Sequence, residues 1–237
     1  MTKKGKKLYE GKAKILYETD KPGLLIQTFK DDATAGDGDK KGIIQGKGAR
    51  NNAISAVLFE VLASNGVKNH FVEKLNEVDM LVKGLQMFPV EATVRNIVAG
   101  GMSRSLGIRE GEVLKYPVLE YHLKDDELHD PLINEYHIRA LGLVEDKALE
   151  KMEDATFKTN EVLKTFLVER DIDLVDFKLE FGSSEGEILV GDEISPDTCR
   201  FWDSGTREKL DKDRFRRDLG GIEEAYTEVW KRICEVG

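Results

Sequence analysis

Leu174-Val175-Asp176-Phe177-Lys178-Leu179-Glu180-Phe181-Gly182 alternates apolar and polar side chains residue by residue. A β-strand has a side-chain period of two, so Val175, Phe177, Leu179 and Phe181 share one face and Asp176, Lys178 and Glu180 the other. The apolar face must be turned to a core. A charged triplet of this kind by itself reads as a solvated face with incidental ion pairs. Its surroundings argue otherwise. Ser183-Ser184-Glu185-Gly186 is a turn signal, and Glu187 to Glu193 reads as the returning strand of a hairpin. That strand is expected to bring Asp192 and Glu193 alongside Glu180. The loop after it, Ser195-Pro196-Asp197-Thr198-Cys199-Arg200, adds further oxygen donors. Carboxylates from adjacent strands suit Mg²⁺, which takes oxygen ligands and shares them with nucleotide phosphates, and a lysine between them suits a phosphate or a developing oxyanion.

Working outward, Leu8 to Phe29 reads as an antiparallel meander with turns at Gly11 and Lys21-Pro22-Gly23. The polar, glycine-rich stretch Asp31 to Gly48 is expected to be a mobile loop. Asn52 to Ser64 has helical apolar spacing closed by Asn65-Gly66, and strands are expected at His70–Lys74, Met80–Val82 and Phe88–Asn96. A short helical turn follows Gly100-Gly101. Long helices are expected from about Val144 to Glu169 and from about Gly221 to Glu235. Runs of strands with helices added, without strict β-α alternation, give an α+β fold. The expected division, near residues 85 to 90, is into a mostly-β N-terminal lobe, 1–87, and a larger α+β C-terminal lobe, 88–237.

The 237 residues suffice for such a division, and 40% of them are hydrophobic. The 36 basic and 45 acidic residues give a net charge of −9, with no basic tail and no basic–aromatic interleaving, which argues against a nucleic-acid partner. The sequence has no run of 18 apolar residues and no signal-like apolar core, so neither a membrane partner nor export is expected. Cys199 and Cys234 have no metal-ligand spacing and read as free thiols in a reducing cytoplasm.

Two further segments carry charge in a chemically suggestive place. Glu10-Gly11-Lys12-Ala13-Lys14 is a glycine turn flanked by lysines, suited to phosphates or equally to a solvent-exposed hairpin. In Phe88 to Gly101, Arg95 leaves a strand just before a glycine-rich turn, which suits an anionic carboxylate or phosphate; the competing reading is an Arg95–Glu91 ion pair. Lys212-Asp213-Arg214-Phe215-Arg216-Arg217 reads either as a charged helix start or as a second anion clamp.

Taken together, YEGKAKILY (9–17), AGDG (35–38), FPVEATVRNIVAGG (88–101), LVDFKLEFG (174–182), GDEISPDTCRFWD (191–203) and KDRFRRDLGG (212–221) resemble the phosphoribosylaminoimidazole-succinocarboxamide synthase (SAICAR synthetase) family over nearly the whole chain. The resemblance implies a ligase of purine biosynthesis that joins a carboxyaminoimidazole ribonucleotide to L-aspartate at the expense of ATP, through an acyl phosphate, with Mg²⁺ as cofactor, in a cytoplasmic homodimer. It implies an ATP cleft between the lobes, with Lys12, Ala13 and Lys14 lining the ATP phosphates. Lys83 to Met87, with Leu85 between, would hold adenine, and Lys124 would contact the nucleotide. Glu180 and Asp192 would hold Mg²⁺. Arg95, Asp130, Arg200 and Arg216 would surround the ribonucleotide, with Asp176, Lys178 and Asp197 at the reacting centre. The family pattern usually has Gly-Ser where this chain has Gly100-Gly101, so a hydroxyl is missing at Gly101, and backbone N–H groups, Ser103 or Arg104 are expected to compensate. The stretch Asp31–Gly48 would close as a lid. A small-molecule kinase and a non-catalytic nucleotide sensor are the competing readings of the same residues.

Overall fold

The computed structural model describes residues 2–35 and 40–235. Three strands, β1 (Lys4–Glu10), β2 (Lys14–Thr19) and β3 (Leu24–Phe29), form the expected meander. With β6 (Phe71–Lys74) and β7 (Asp79–Lys83) they complete a five-stranded antiparallel sheet in the order β1-β2-β3-β7-β6. The stretch expected to be a mobile loop is instead largely ordered. β4 (Asp32–Ala35) pairs antiparallel with β5 (Lys40–Ile43), while Gly36 to Asp39, which hold most of the AGDG motif, lie outside the described residues. Lys40 ties this hairpin to the far end of the chain through the Phe215 carbonyl and the Asp218 carboxylate. Glycines and charges hid the pairing, because no apolar alternation marks a two-stranded ribbon that buries little.

Helix α1 (Lys47–Ser64) begins one and a half turns before its apolar pattern does. Its start is fixed from a distance: the Asp31 carboxylate accepts the N–H groups of Gly46 at 3.0 Å and Gly48 at 2.8 Å, a cap that local sequence cannot announce.

The second sheet is built on β8 (Gln86–Ile97), β9 (Val113–Leu123), β10 (Leu132–Ile133), β11 (Ile172–Ser184), β12 (Glu187–Val190) and β13 (Cys199–Asp203). Its order is β10-β9-β8-β11-β12, with β13 also paired to β11. α2 (Gly100–Leu106), a 3₁₀ turn at Asp126–Leu128 and α3 (Glu135–Ala140) decorate it. The amphipathic α4 (Asp146–Val168) lies across its apolar face, and α5 (Asp213–Arg216) and α6 (Ile222–Cys234) close the chain. The mixed α/β arrangement with antiparallel sheets is the one expected.

The main core lies between this sheet and α1, α4 and α6. Phe177, Leu179 and Phe181 from β11 meet Leu58 and Leu62 of α1, Met152 and Leu163 of α4, and Val229 of α6. Phe177, Phe181 and Phe201 are fully buried, each worth about 2–3 kcal/mol of removed apolar surface. α1 therefore packs on the helices and strands that follow it as well as on β3, β6 and β7. Among the described residues, no helix is long and apolar enough to cross a membrane.

The two sheets adjoin at Gly84-Leu85, between β7 and β8. Gly182 is needed there: a Cβ on it would stand 2.8 Å from the Gln86 carbonyl oxygen and from Leu85 Cβ, so only glycine lets the crossover segment press against β11.

Candidate active site

The antiparallel pairing of β8 and β11 sets Asp176 opposite Arg95, Lys178 opposite Thr93 and Glu180 opposite Glu91. All six side chains stand on the face away from the core, as the alternation requires. Two carboxylates opposite one another on a sheet repel. Lys178 resolves this by pairing with Glu91 at 2.7 Å and Glu180 at 3.0 Å, while Lys124 pairs with Glu180 from the other side. Burial pushes Glu180 up, but Lys178, Lys124 and Lys14 outweigh it and hold the carboxyl at about 2. Burial alone would lower Lys178; the charges of Glu180, Glu91 and Asp192 overcome it and keep the ammonium well above its ordinary range. The Arg95–Glu91 ion pair does not form. Glu91 serves Lys178, a role the sequence reading missed because the partner lies 87 residues away.

The hairpin departs from expectation at its end. β12 stops at Val190, and Asp192 sits in a turn with φ of 61°, a conformation that aspartate tolerates better than most residues. The Gly191 N–H donates to the Glu180 carbonyl at 2.8 Å, so the turn begins directly beside Glu180. Lys14, the first residue of β2, reaches in from the other sheet and pairs with Asp192 and, at 2.9 Å, with Glu193. Burial works against its charge, but Asp192, Glu193 and Glu180 raise it further than burial lowers it. Asp192 itself is pushed up, first by burial and then by Glu180 and Glu193, despite Lys14.

Glu180 and Asp192 thus come together, facing the Lys12–Lys14 turn. Their surplus negative charge is what a divalent cation would relieve. Among the described residues no three His, Cys, Asp or Glu side chains converge to hold a metal alone. The fit is therefore to an ion such as Mg²⁺ that takes two carboxylates and completes its shell with phosphate oxygens and water. Lys12 takes a different course from Lys14: it pairs with Asp126 at 2.7 Å on the exposed rim, opposite the 3₁₀ turn. Ala13 lies between them, its carbonyl accepting the Lys30 N–H at 2.8 Å.

Beside the acidic pair opens a cavity of about 220 Å³ lined by Glu91, Thr93, Arg95, His122, Asp176, Phe177, Lys178, Asp197, Thr198, Arg200 and Arg216. Asp176 is held by two guanidinium groups, Arg95 at 2.9 Å and Arg200 at 2.8 Å. Arg95 also bonds Glu120, and Arg200 and Arg216 share Asp213 at 2.9 and 2.7 Å. The short α5 therefore works as the foot of an arginine clamp. Gly100 makes room for it: its φ is +55°, and a Cβ there would stand 2.4 Å from an Arg200 nitrogen.

Asp197 is buried, bonded by Lys47 Nζ at 2.6 Å and the Tyr226 hydroxyl at 2.6 Å. Burial opposes its ionisation, but Lys212, Lys47 and the Tyr226 hydrogen bond keep it ionised far below the usual carboxylate range. Neither Lys47 nor Tyr226 was anticipated here: Lys47 lies in the stretch 31–48 read from sequence as a mobile loop, and Tyr226 on a helix read only for its apolar face.

The remaining expected residues are spread over the neighbouring elements. Lys83 ends β7 and Met87 lies in β8, with Leu85 in the crossover between them. Asp130 accepts the Asp125 N–H at 2.9 Å, in the loop that carries Lys124. Ser103 spends its hydroxyl on the Ile108 carbonyl at 2.8 Å and does not line the cavity. Gly101 lies closer to the clamp: a Cβ there would stand 3.8 Å from Arg95 Nη2, with ordinary room for a side chain.

The chain is similar to known proteins over nearly its whole length. Residues 7–233 match the sequence model of the SAICAR synthetase family. The phosphoribosylaminoimidazole-succinocarboxamide synthase of Desulfitobacterium hafniense (strain Y51) is 54% identical over 98% of this chain and 98% of its own. The crystal structure of the enzyme of that name from Ehrlichia chaffeensis superposes with a TM-score of 0.95 at 42% identity, covering 98% of this chain and all of the other. A SAICAR synthetase solved in complex with ADP superposes at 0.92 with 48% identity, over 96% of this chain and 97% of its own. With its acidic pair, lysines and arginine clamp on a fold shared from end to end, this chain belongs to the SAICAR synthetase family.

Proposed function

We propose that this protein is a two-lobed, ATP- and Mg²⁺-dependent ligase, divided at 87/88. In this reading it condenses carboxyaminoimidazole ribonucleotide with L-aspartate, through an acyl phosphate, to the succinocarboxamide ribonucleotide, ADP and phosphate. One observation carries the reading: Glu180 and Asp192 meet beside Lys14 and Lys178, next to a cavity walled by Arg95, Arg200 and Arg216.

A carboxylate resists attack by an amine because oxide is a very poor leaving group. Phosphorylating it supplies a good one, and phosphoryl transfer needs charge neutralisation and positioning more than covalent help. Lys14 and Lys178 remain charged in the site and would neutralise the transferring group. The crossover Lys83–Met87 would hold adenine at the seam of the two sheets, with Lys124 and the Lys12–Lys14 turn along the phosphates. Glu180 and Asp192 would hold Mg²⁺, which supplies charge neutralisation across the transferring phosphates when bound. The Arg95–Asp176–Arg200 group and Arg216 would orient the anionic ribonucleotide, with backbone N–H groups at Gly101 in place of a serine hydroxyl. Asp176, Lys178 and Asp197 would surround the reacting centre. The reading carries the family's cytoplasmic homodimer with it, and no nucleic acid or membrane partner.

Sustained ADP release in a coupled assay, with the ribonucleotide present, is expected to require L-aspartate. ADP release at the same rate without aspartate would overturn the ligase reading in favour of a kinase that stops at phosphoryl transfer. ATP binding without turnover under either condition would mark a sensor.

A further inference from the structure

Four lysines gather round the acidic groups of the site, and a fifth differs from them. Lys14, Lys47, Lys124 and Lys178 each have a carboxylate within salt-bridge reach. Among the described residues, none stands within that reach of Lys212 Nζ, and the side chain makes no hydrogen bond. Its backbone is nevertheless fixed in place. Its backbone N–H donates to the Pro196 carbonyl at 3.1 Å, next to Asp197, and its carbonyl accepts the Arg216 N–H at 3.0 Å. Asp197 and Arg216 both line the 220 Å³ cavity. The backbone of Lys212 is thus set beside two residues that line the cavity, while its amine has no salt-bridge or hydrogen-bond partner among the described residues.

We propose that Lys212 is the base that takes the proton from the attacking amine, and that Asp197 attracts that amine to the acyl carbon. This rests on the ligase reading given above. The amine nitrogen forms a bond to the acyl carbon. The carbon–oxygen bond to the phosphoryl group breaks, and inorganic phosphate leaves with its electron pair. The proton lost from nitrogen passes to Lys212 Nζ and afterwards to water.

The charged groups facing Lys212 favour this role. Burial lowers its affinity for a proton; Asp197 and Glu193, from the loop after β12, oppose this, and Arg216 of α5 and Lys47 of α1 add to it, with the net result downward. Much of the charge of Asp197 is already engaged by Lys47 and by Tyr226 of α6. Lys14 and Lys178, by contrast, are held charged and cannot serve as bases.

The test compares wild type, Lys212→Ala and Lys212→Arg in the aspartate-dependent ADP-release assay, with ATP binding measured on each to show that the fold is kept. General-base loss is expected to lower kcat about 10²- to 10⁴-fold in both variants, with the ribonucleotide KM changed less than about threefold. Because the base must be neutral, wild-type kcat rises with pH through the lysine's titration. Lys212→Ala is expected to lose that limb and to recover activity with added small primary amines. Recovery of wild-type kcat by Lys212→Arg would overturn the proposal, since arginine keeps the charge but not the base. An unchanged pH profile in Lys212→Ala would also overturn it. Failure of wild type to require aspartate would instead overturn the ligase reading, so the two failures are distinguishable.

Discussion

Glu180→Gln and Asp192→Asn are each expected to fold as wild type and to lose Mg²⁺-dependent turnover by about 10²- to 10³-fold, the loss seen when one preorganised electrostatic contact to a transition state is removed. The fold should survive because the two central lysines keep a second partner. With Glu180 neutral, Lys178 retains Glu91 at 2.7 Å; with Asp192 neutral, Lys14 retains Glu193 at 2.9 Å. Catalysis should not survive, because the surplus negative charge that would draw a divalent ion disappears with either carboxylate. Steady-state rates measured against Mg²⁺ concentration, alongside thermal unfolding, check both halves. Rates within threefold of wild type in both variants would remove the metal assignment.

The second large effect is expected at Arg95. It joins Glu120 and Asp176 through different nitrogens of one planar group, at 2.8 and 2.9 Å, under nearly complete burial. Truncating one member of such a buried charge network costs about 3–5 kcal/mol, much of it from the carboxylates left uncompensated. Asp176 keeps Arg200, so the cavity wall should hold while its anion-binding character falls. Arg95→Ala is therefore expected to raise the ribonucleotide KM by about 10²-fold or more, with ATP affinity within about twofold of wild type. Arg95→Lys should not rescue it, because an ammonium cannot span two carboxylates as a guanidinium fork does. Isothermal titration with each ligand separates the two effects, and loss of ATP affinity with ribonucleotide affinity intact would reject the assignment.

The strand periodicity of Leu174–Gly182 was legible in full, because a sheet buried on one face imposes period two on its sequence. Hence the placing of Asp176, Lys178 and Glu180 on one face could be read before any coordinates. Asp192 could be read as a neighbour of Glu180 but not as a turn residue, since a left-handed φ in aspartate leaves no compositional mark. The ribbon Asp32–Ile43 was read as loop for a related reason: its strands bury little, so neither face needs apolar side chains. The long-range pairs were out of reach altogether. Glu91 with Lys178, Lys47 with Asp197, and the Asp31 cap on α1 each join residues that only the finished fold brings together. The opposite courses of Lys12 and Lys14 also depend on tertiary partners, Asp126 on the rim and Asp192 within.

The account turns on a carboxylate being phosphorylated in the cavity beside Lys178 before an amine attacks it. With both oxygens of the ribonucleotide carboxylate labelled with ¹⁸O, mass analysis of the inorganic phosphate released in the aspartate-dependent reaction reads this directly. One labelled oxygen per phosphate is the predicted result, because the bridging oxygen of an acyl phosphate departs with phosphorus. Phosphate free of label, with sustained product formation, would contradict the account.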